Sequence, residues 1–379
     1  MRWFFRQGGL PVSRVAVFAS ILSAVFAACS SSQSHVGFVG PLTGSSSAIG
    51  LGCRNGFLMA FGEGPGAAPG SIPALDLVVK DDMNDPAVCL RDMKELKASG
   101  CQAVILGTPS QAATEAVPWA VANGMLVITP TVSSPIRGDD SPLFIRVNMP
   151  SSEYGRALAR TAVERFHVMR MGVVGDSRNS SYVDTVDKAF IDEYEGLGGK
   201  TSFVRSFDSA KEKPQEGLAA AIRSSSCEGL LVIAASTEVV LVAKELDRAG
   251  LHTQLFLPPW PLTLDLIRNG GTAVEGAVAV SIADLEFRSP AGKAFEAAYR
   301  DDHGEEPSFT AMFGWEAASI LRAAIASGGR KTAMALRDRI LALRSFDGLQ
   351  GKIEFDSRGR ATRTMFLFRI EGGSFKRID

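Results

Sequence analysis

One pattern recurs down this chain: a short apolar run, a few small or polar residues, then an amphipathic stretch several turns long. The apolar runs begin at Val36 (VGFVG), Leu75 (LDLVV), Ala103 (AVIL), Met125 (MLVIT), Arg170 (RMGVVGD), Thr201 (TSFVRSF), Glu228 (EGLLVIA), Thr253 (TQLFL) and Gly276 (GAVAVS). Continuous apolar runs of this length suit strands buried on both faces of a parallel sheet. The stretches 86–99, 110–123, 153–166, 183–196 and 237–250 read as the intervening helices. Asp85 suits an N-cap before Pro86, and Gly100, Gly124 and Gly250 suit helix C-termini. Strand–helix alternation predicts an α/β fold of right-handed crossover units. Nine strands are many for one sheet in a domain of this size, so two sheets are expected.

The N-terminus has a different character. Arg2, Arg6 and Arg14 charge it, and residues 15–28 (VAVFASILSAVFAA) are uncharged and apolar. That run is shorter than the roughly 20 residues of a membrane-spanning helix. Its small residues Ala27 and Ala28 precede Cys29 and a Ser-rich stretch, an order that fits a secretory signal peptide and resembles the lipobox of bacterial lipoproteins. Residues 1–28 are read as the signal peptide and 29–34 as a tether lipidated on Cys29. The chain would then reside in the cell envelope, anchored to a membrane at the periplasmic or outer face. The remaining length of about 350 residues fits two domains. A net charge of −1 provides no basic field for nucleic acid. Cys101 and Cys227, each just before an apolar strand, read as small buried residues.

Several segments carry a resemblance to a known family. VGFVGPLTG at Val36, LVVKDDMNDP at Leu77, AVILGTPSQAAT at Ala103, MLVITPTVSSP at Met125 and GDSRNSSY ending at Tyr182 stand in order. KAFEAAYRDDHGEEP, GWEA at Gly314 and FDGLQGKIEFDSRGR follow. The ordered set resembles the branched-chain amino-acid-binding family of ABC-transporter solute receptors, and it covers nearly all of the chain after the tether. The resemblance implies a type I periplasmic-binding fold: two doubly wound parallel-sheet lobes joined by three crossovers. Residues 35–149 and 281–345 would form lobe I, and 150–280 and 346–379 lobe II. It also implies a monomer with a small-molecule ligand and an ABC permease as partner. Some receptors of this fold carry a disulfide near the starts of the first two helices, where Cys53 and Cys89 stand, so this pair is the expected bridge.

The implied ligand site lies in the cleft at the C-terminal ends of the strands. Three lobe I loops open helices or turns there and present hydroxyls with free N–H groups: one with Thr43, one with Ser110 and Gln111, one with Thr131 and Ser133. By resemblance, the second and third of these hold a ligand carboxylate. Each hydroxyl read alone is equally well a plain helix cap. Tyr182, Ser236 and Trp260 are the lobe II candidates. The family's ammonium-binding acid would fall in Pro258-Pro259-Trp260-Pro261, which contains no carboxylate. A buried ammonium without a counter-charge costs several kcal/mol, so the expected ligand is an acid or amide without a free α-amino group. Asp284, near a crossover, is the one alternative source of charge.

Catalytic and metal motifs do not emerge. The chain has no G-x-S-x-G and no H-E-x-x-H, and GLGGKT at Gly196 is an incomplete phosphate loop leading into a strand. His35, His167, His252 and His303 lack metal-ligand spacing and read as surface residues. No enzyme activity, metal or cofactor is therefore expected. Two functions fit: a receptor that delivers a small polar or amphipathic solute to an ABC importer, or an envelope lipoprotein of the same fold that regulates a partner through its surface.

Overall fold

The computed structural model describes residues 35–62 and 76–379. The expected signal peptide, the expected lipidation site Cys29 and the expected tether lie outside these residues. All nine expected strands form. In lobe I, β1 (His35–Gly40), β2 (Asp76–Asp81), β3 (Ala103–Leu106) and β4 (Leu126–Thr129) are joined by a short fifth strand, β5 (Phe144–Arg146). The sheet is wholly parallel in the order β2-β1-β3-β4-β5. In lobe II, β6 (Arg170–Asp176), β7 (Lys200–Phe207), β8 (Gly229–Ile233), β9 (Gln254–Leu257) and β10 (Val278–Ser281) are parallel. Two further strands, β14 (Phe366–Glu371) and β15 (Ser374–Arg377), extend that sheet antiparallel from β10.

The helices alternate as expected. They are α1 (Ser47–Phe61), α2 (Pro86–Ala98), α3 (Ala113–Ala122), α4 (Ser151–Arg160), α5 (Ser180–Gly196), α6 (Leu218–Ser225) and α7 (Ser236–Arg248), then α8 (Leu264–Gly270), α9 (Pro290–His303), α10 (Phe309–Ala326) and α11 (Ala333–Ala342). Asp85 caps α2 by accepting hydrogen bonds from the Ala87 and Val88 N–H groups, with Pro86 in the first turn. GLGGKT forms the end of α5 and the start of β7, a plain connection.

Alternate burial sorts the lobe I helices onto two faces. Val36, Phe38, Ala103 and Ile105 point to one core together with Cys53 and Phe57 of α1 and Ala317 and Ile320 of α10. Val39, Val104 and Leu106 point to the other core together with Cys89 and Met93 of α2. This corrects the expected disulfide: Cys53 and Cys89 sit on opposite faces of one sheet, and both are free, buried thiols. The two helices start at the same sheet edge, but the crossovers pass on opposite sides. Cys101 is buried as expected, whereas Cys227 is only half-buried.

The lobe I boundary expected at residue 345 also moves. Strands β11 (Ser345–Gly348), β12 (Gly351–Phe355) and β13 (Ala361–Thr362) form a small antiparallel sheet. Ile353 and Ala361 belong to the lobe I core, and the Arg146 N–H donates to the Gly359 carbonyl. The chain therefore stays with lobe I through Thr362 and enters lobe II only at β14. Glycines let α1 and α10 pack closely. A Cβ on Gly56 would lie 1.9 Å from the Ala311 carbonyl oxygen, and one on Gly314 would lie 2.1 Å from that of Cys53.

Candidate functional site

The C-terminal ends of the strands in the two lobes face one another across a cavity. In lobe I, β3 runs into Gly107-Thr108-Pro109-Ser110 and β4 into Pro130-Thr131-Val132-Ser133-Ser134. Hydroxyls join these two loops. The Thr129 Oγ1–H donates to the Leu106 carbonyl (3.0 Å), and the Thr131 Oγ1–H donates to the Thr108 carbonyl (2.8 Å). The Ser110 Oγ accepts from the Ser133 and Ser134 N–H groups at 3.2 and 3.4 Å. The Ser133 hydroxyl makes no hydrogen bond to the described residues and is free to donate into the cavity it lines.

Arg146, the last residue of β5, stands behind the second loop. Its guanidinium donates to the Ser134 carbonyl at 2.8 Å and to Asp139 at 3.3 Å, and its side chain is 5% exposed. Burial lowers its pKa, and the Asp139 charge opposes that shift. Two residues on, Asn148 donates to the Thr131 carbonyl at 3.4 Å and accepts a short bond from the Tyr154 hydroxyl. Tyr154 is buried at the root of α4, where burial raises its pKa.

Lobe II supplies the opposite wall. Tyr182 and Trp260 meet edge to face, with ring centroids 5.9 Å apart, a favourable aromatic geometry. Neither the Tyr182 hydroxyl nor the Trp260 indole N–H has a hydrogen-bond partner, although both are buried. Burial, reinforced by Tyr154, pushes the Tyr182 pKa well above the phenol range.

The cavity between these walls has a volume of about 40 Å³, as traced by the centre of a water-sized sphere. That is several times what one water molecule needs. Ser110, Thr131, Ser133, Tyr182 and Trp260 line it, all five of them expected from sequence. Ile49, Asn148, Tyr154, Asn179, Phe309 and Thr310 line it too and were not expected. Among the described residues, none that lines it is an aspartate, glutamate, lysine or arginine.

The three other candidates stand elsewhere. Thr43 donates to Asp81 at 2.7 Å on the exposed rim of lobe I. Gln111 clasps the two lobes together: its N–H donates to Asn179 (3.0 Å), and its Oε1 accepts from the Ser180 hydroxyl (3.0 Å) and the Ser181 N–H (3.2 Å). Ser236 lines a smaller neighbouring compartment. Asp284 faces Arg288 at 3.4 Å and does not line the cavity, so it supplies no charge there. His167, His252 and His303 are exposed, and His35 is half-buried beside Asp76. No group of residues with metal-binding geometry occurs among the described residues.

Beneath the first loop, Asp82 is fully buried beside Thr108 and Cys89. Its Oδ1 accepts from the Asn84 N–H at 2.9 Å, and the Thr108 hydroxyl and the Cys89 thiol face the carboxylate. Burial pushes its pKa up to about 6, against the opposing Asn84, Thr108 and Cys89 groups. The folded state thus favours the protonated form. The stability this provides is complete below about pH 4, the unfolded range, and is lost as pH rises through about 6. A rise from 3.8 to about 6 corresponds to about 3 kcal/mol. Asp82→Asn should therefore stabilise the protein by roughly that amount above pH 7 and flatten its stability between pH 4 and 6. Urea unfolding at pH 4 and pH 7.5 checks this; equal effects at both pH values would contradict it.

A sequence model of periplasmic binding proteins matches residues 33–374. The chain belongs to the periplasmic binding protein family. This membership places it among non-catalytic solute-binding proteins. The leucine-, isoleucine-, valine-, threonine- and alanine-binding protein of Pseudomonas aeruginosa is 22% identical over 361 residues, covering 93% of this chain and 94% of its own. The crystal structure of a leucine-binding protein from Thermotoga maritima superposes with a TM-score of 0.82 at 22% identity, over 91% of this chain and 98% of that one. A solute-binding protein of an R. palustris ABC transporter, solved with benzoate, gives 0.79 at 18% identity, over 91% and 95%. The two lobes have the type I periplasmic-binding fold that the resemblance implied.

Proposed function

We propose that this periplasmic binding protein is the lipid-anchored receptor of an ABC importer and captures a small carboxylic acid that carries no ammonium group. The observation that carries this reading is the uncharged cavity. It offers the Ser133 hydroxyl on the lobe I wall at one end, and the Tyr182 and Trp260 rings of lobe II at the other. A carboxylate suits the first end, because charge-assisted hydrogen bonds are the strong ones. The aromatic end suits an apolar or aromatic body. An ammonium would have no counter-ion there, a cost of several kcal/mol. The benzoate complex of the R. palustris relative supports this reading, whereas the leucine-binding relatives favour an amino acid.

Calorimetry decides between them. The panel is benzoate, leucine and the deaminated counterpart of leucine. The acids should bind and leucine should not. Ser133→Ala should weaken acid binding by roughly ten- to a hundredfold, the worth of a hydrogen bond to a charged group at about 1.5–3 kcal/mol. His303→Ala, at an exposed site, should leave it unchanged. Tight binding of leucine with both acids silent would overturn the reading. Silence with every compound would favour the surface-acting regulatory lipoprotein.

A further inference from the structure

The cleft does not end at Trp260. Ile49 and Trp260 line both the main cavity and a second compartment beyond it, which Ser236 and Thr263 also line. The compartment has a volume of about 10 Å³ by the same measure, room for one polar atom. Lobe I closes it with Ser45 and Ser46, whose hydroxyl oxygens already accept from Arg178 (3.4 Å) and Asn84 (3.2 Å).

The lobe II groups are uncommitted. The Thr263 hydroxyl has no partner at 5% exposure, and the Trp260 indole N–H has none at 7%. The Ser236 hydroxyl makes no hydrogen bond to the described residues. Thr263 stands where a helix cap would, yet its side chain caps nothing in α8. Buried polar groups are nearly always hydrogen-bonded, and those left open point to a missing partner. An indole N–H can only donate, so the missing partner must be an acceptor.

We infer that this compartment is a distal subsite that reads one hydrogen-bond acceptor, such as a hydroxyl or carbonyl oxygen, at the end of the ligand remote from its carboxylate. The inference rests on the carboxylic-acid reading above and narrows it to acids with a distal polar atom. Trp260 then serves as a divider: its ring packs against the ligand body and its N–H serves the far end.

The test is a matched pair of probes, 4-hydroxybenzoate and 4-methylbenzoate, measured by calorimetry. Their substituents are similar in size and differ in hydrogen bonding. The wild-type protein should bind the hydroxylated acid about tenfold more tightly. Thr263→Val, which keeps the shape and removes one of the groups that face the substituent, should lower that ratio. Should Thr263→Val not fold, Ser236→Ala should lower the ratio in the same direction. A wild-type ratio of one or below overturns the subsite, as does a ratio that survives both substitutions. If neither acid binds at all, the carboxylic-acid reading fails and the subsite fails with it.

Discussion

Arg363→Met is expected to cost about 3–5 kcal/mol of stability, the range for breaking a buried ion pair by removing one partner. Arg363 lies where the chain leaves β13 for lobe II, and its guanidinium sits 2.7 Å from Glu316 of α10. The two side chains are 6% and 0% exposed. The arginine also lies over the Phe313 ring at 5.2 Å, and the other Glu316 oxygen accepts from the Leu349 N–H at 2.9 Å. Methionine fills much of the volume and leaves Glu316 as a buried carboxylate without its cation. Because the penalty is that orphaned charge, adding Glu316→Gln should recover part of the loss. Denaturant unfolding of both single variants and the double variant checks this. Strict additivity would show that the two residues act independently.

Gly314→Val is expected to be at least as damaging, with a loss of about 3 kcal/mol or more. The new Cβ would meet the Cys53 carbonyl oxygen at 2.1 Å. A flexible side chain could swing away, but this obstacle is the backbone of a neighbouring helix. The helices must separate, and one turn before Cys53 the same helix carries Ile49, which lines the cavity. Gly314→Ala should show a milder form of the same defect. Urea midpoints for the two variants provide the comparison. A midpoint for Gly314→Val equal to that of the wild type would mean that α1 and α10 are farther apart in solution.

What could be read from the residues alone follows from what each signal depends on. Seven of the nine strands that announced themselves are almost wholly buried apolar runs inside parallel sheets, whereas β2 and β7 lie at sheet edges, are more exposed and were legible from their apolar residues alone. β5 escaped notice because it is three residues long and ends in Arg146. The strands β11, β12, β13 and β15 escaped because they are antiparallel and partly exposed, and β14 because Arg369 interrupts its short buried run. SFKR of β15, for example, has no apolar run. The site divides in the same way. Ser110, Thr131, Ser133, Tyr182 and Trp260 follow strands directly, and strand ends are where such sheets place ligands. Asn148, Tyr154, Phe309 and Thr310 lie on or just past the crossovers, where only the folded chain brings them to the cavity. Arg146 did carry a local signal, a lone arginine inside the apolar run from Phe144 to Val147. Thr43 and Gln111 share the loop chemistry of their neighbours, but Asp81 and Asn179 capture them first.

The clasp at Gln111 bears on how affinity is set. Its three hydrogen bonds join the lobes through protein groups alone, and none of them needs a ligand in the cleft. Opening the lobes exchanges these bonds for bonds to water, a small net change for neutral groups. The closed arrangement is therefore a member of the unliganded ensemble rather than a creation of the ligand. The apparent dissociation constant is then the intrinsic one divided by the fraction of molecules already closed. The strength with which this protein holds a solute is thus written partly in residues outside the cavity, and evolution can retune affinity at Gln111 and Ser180 while leaving the chemistry of the cavity alone.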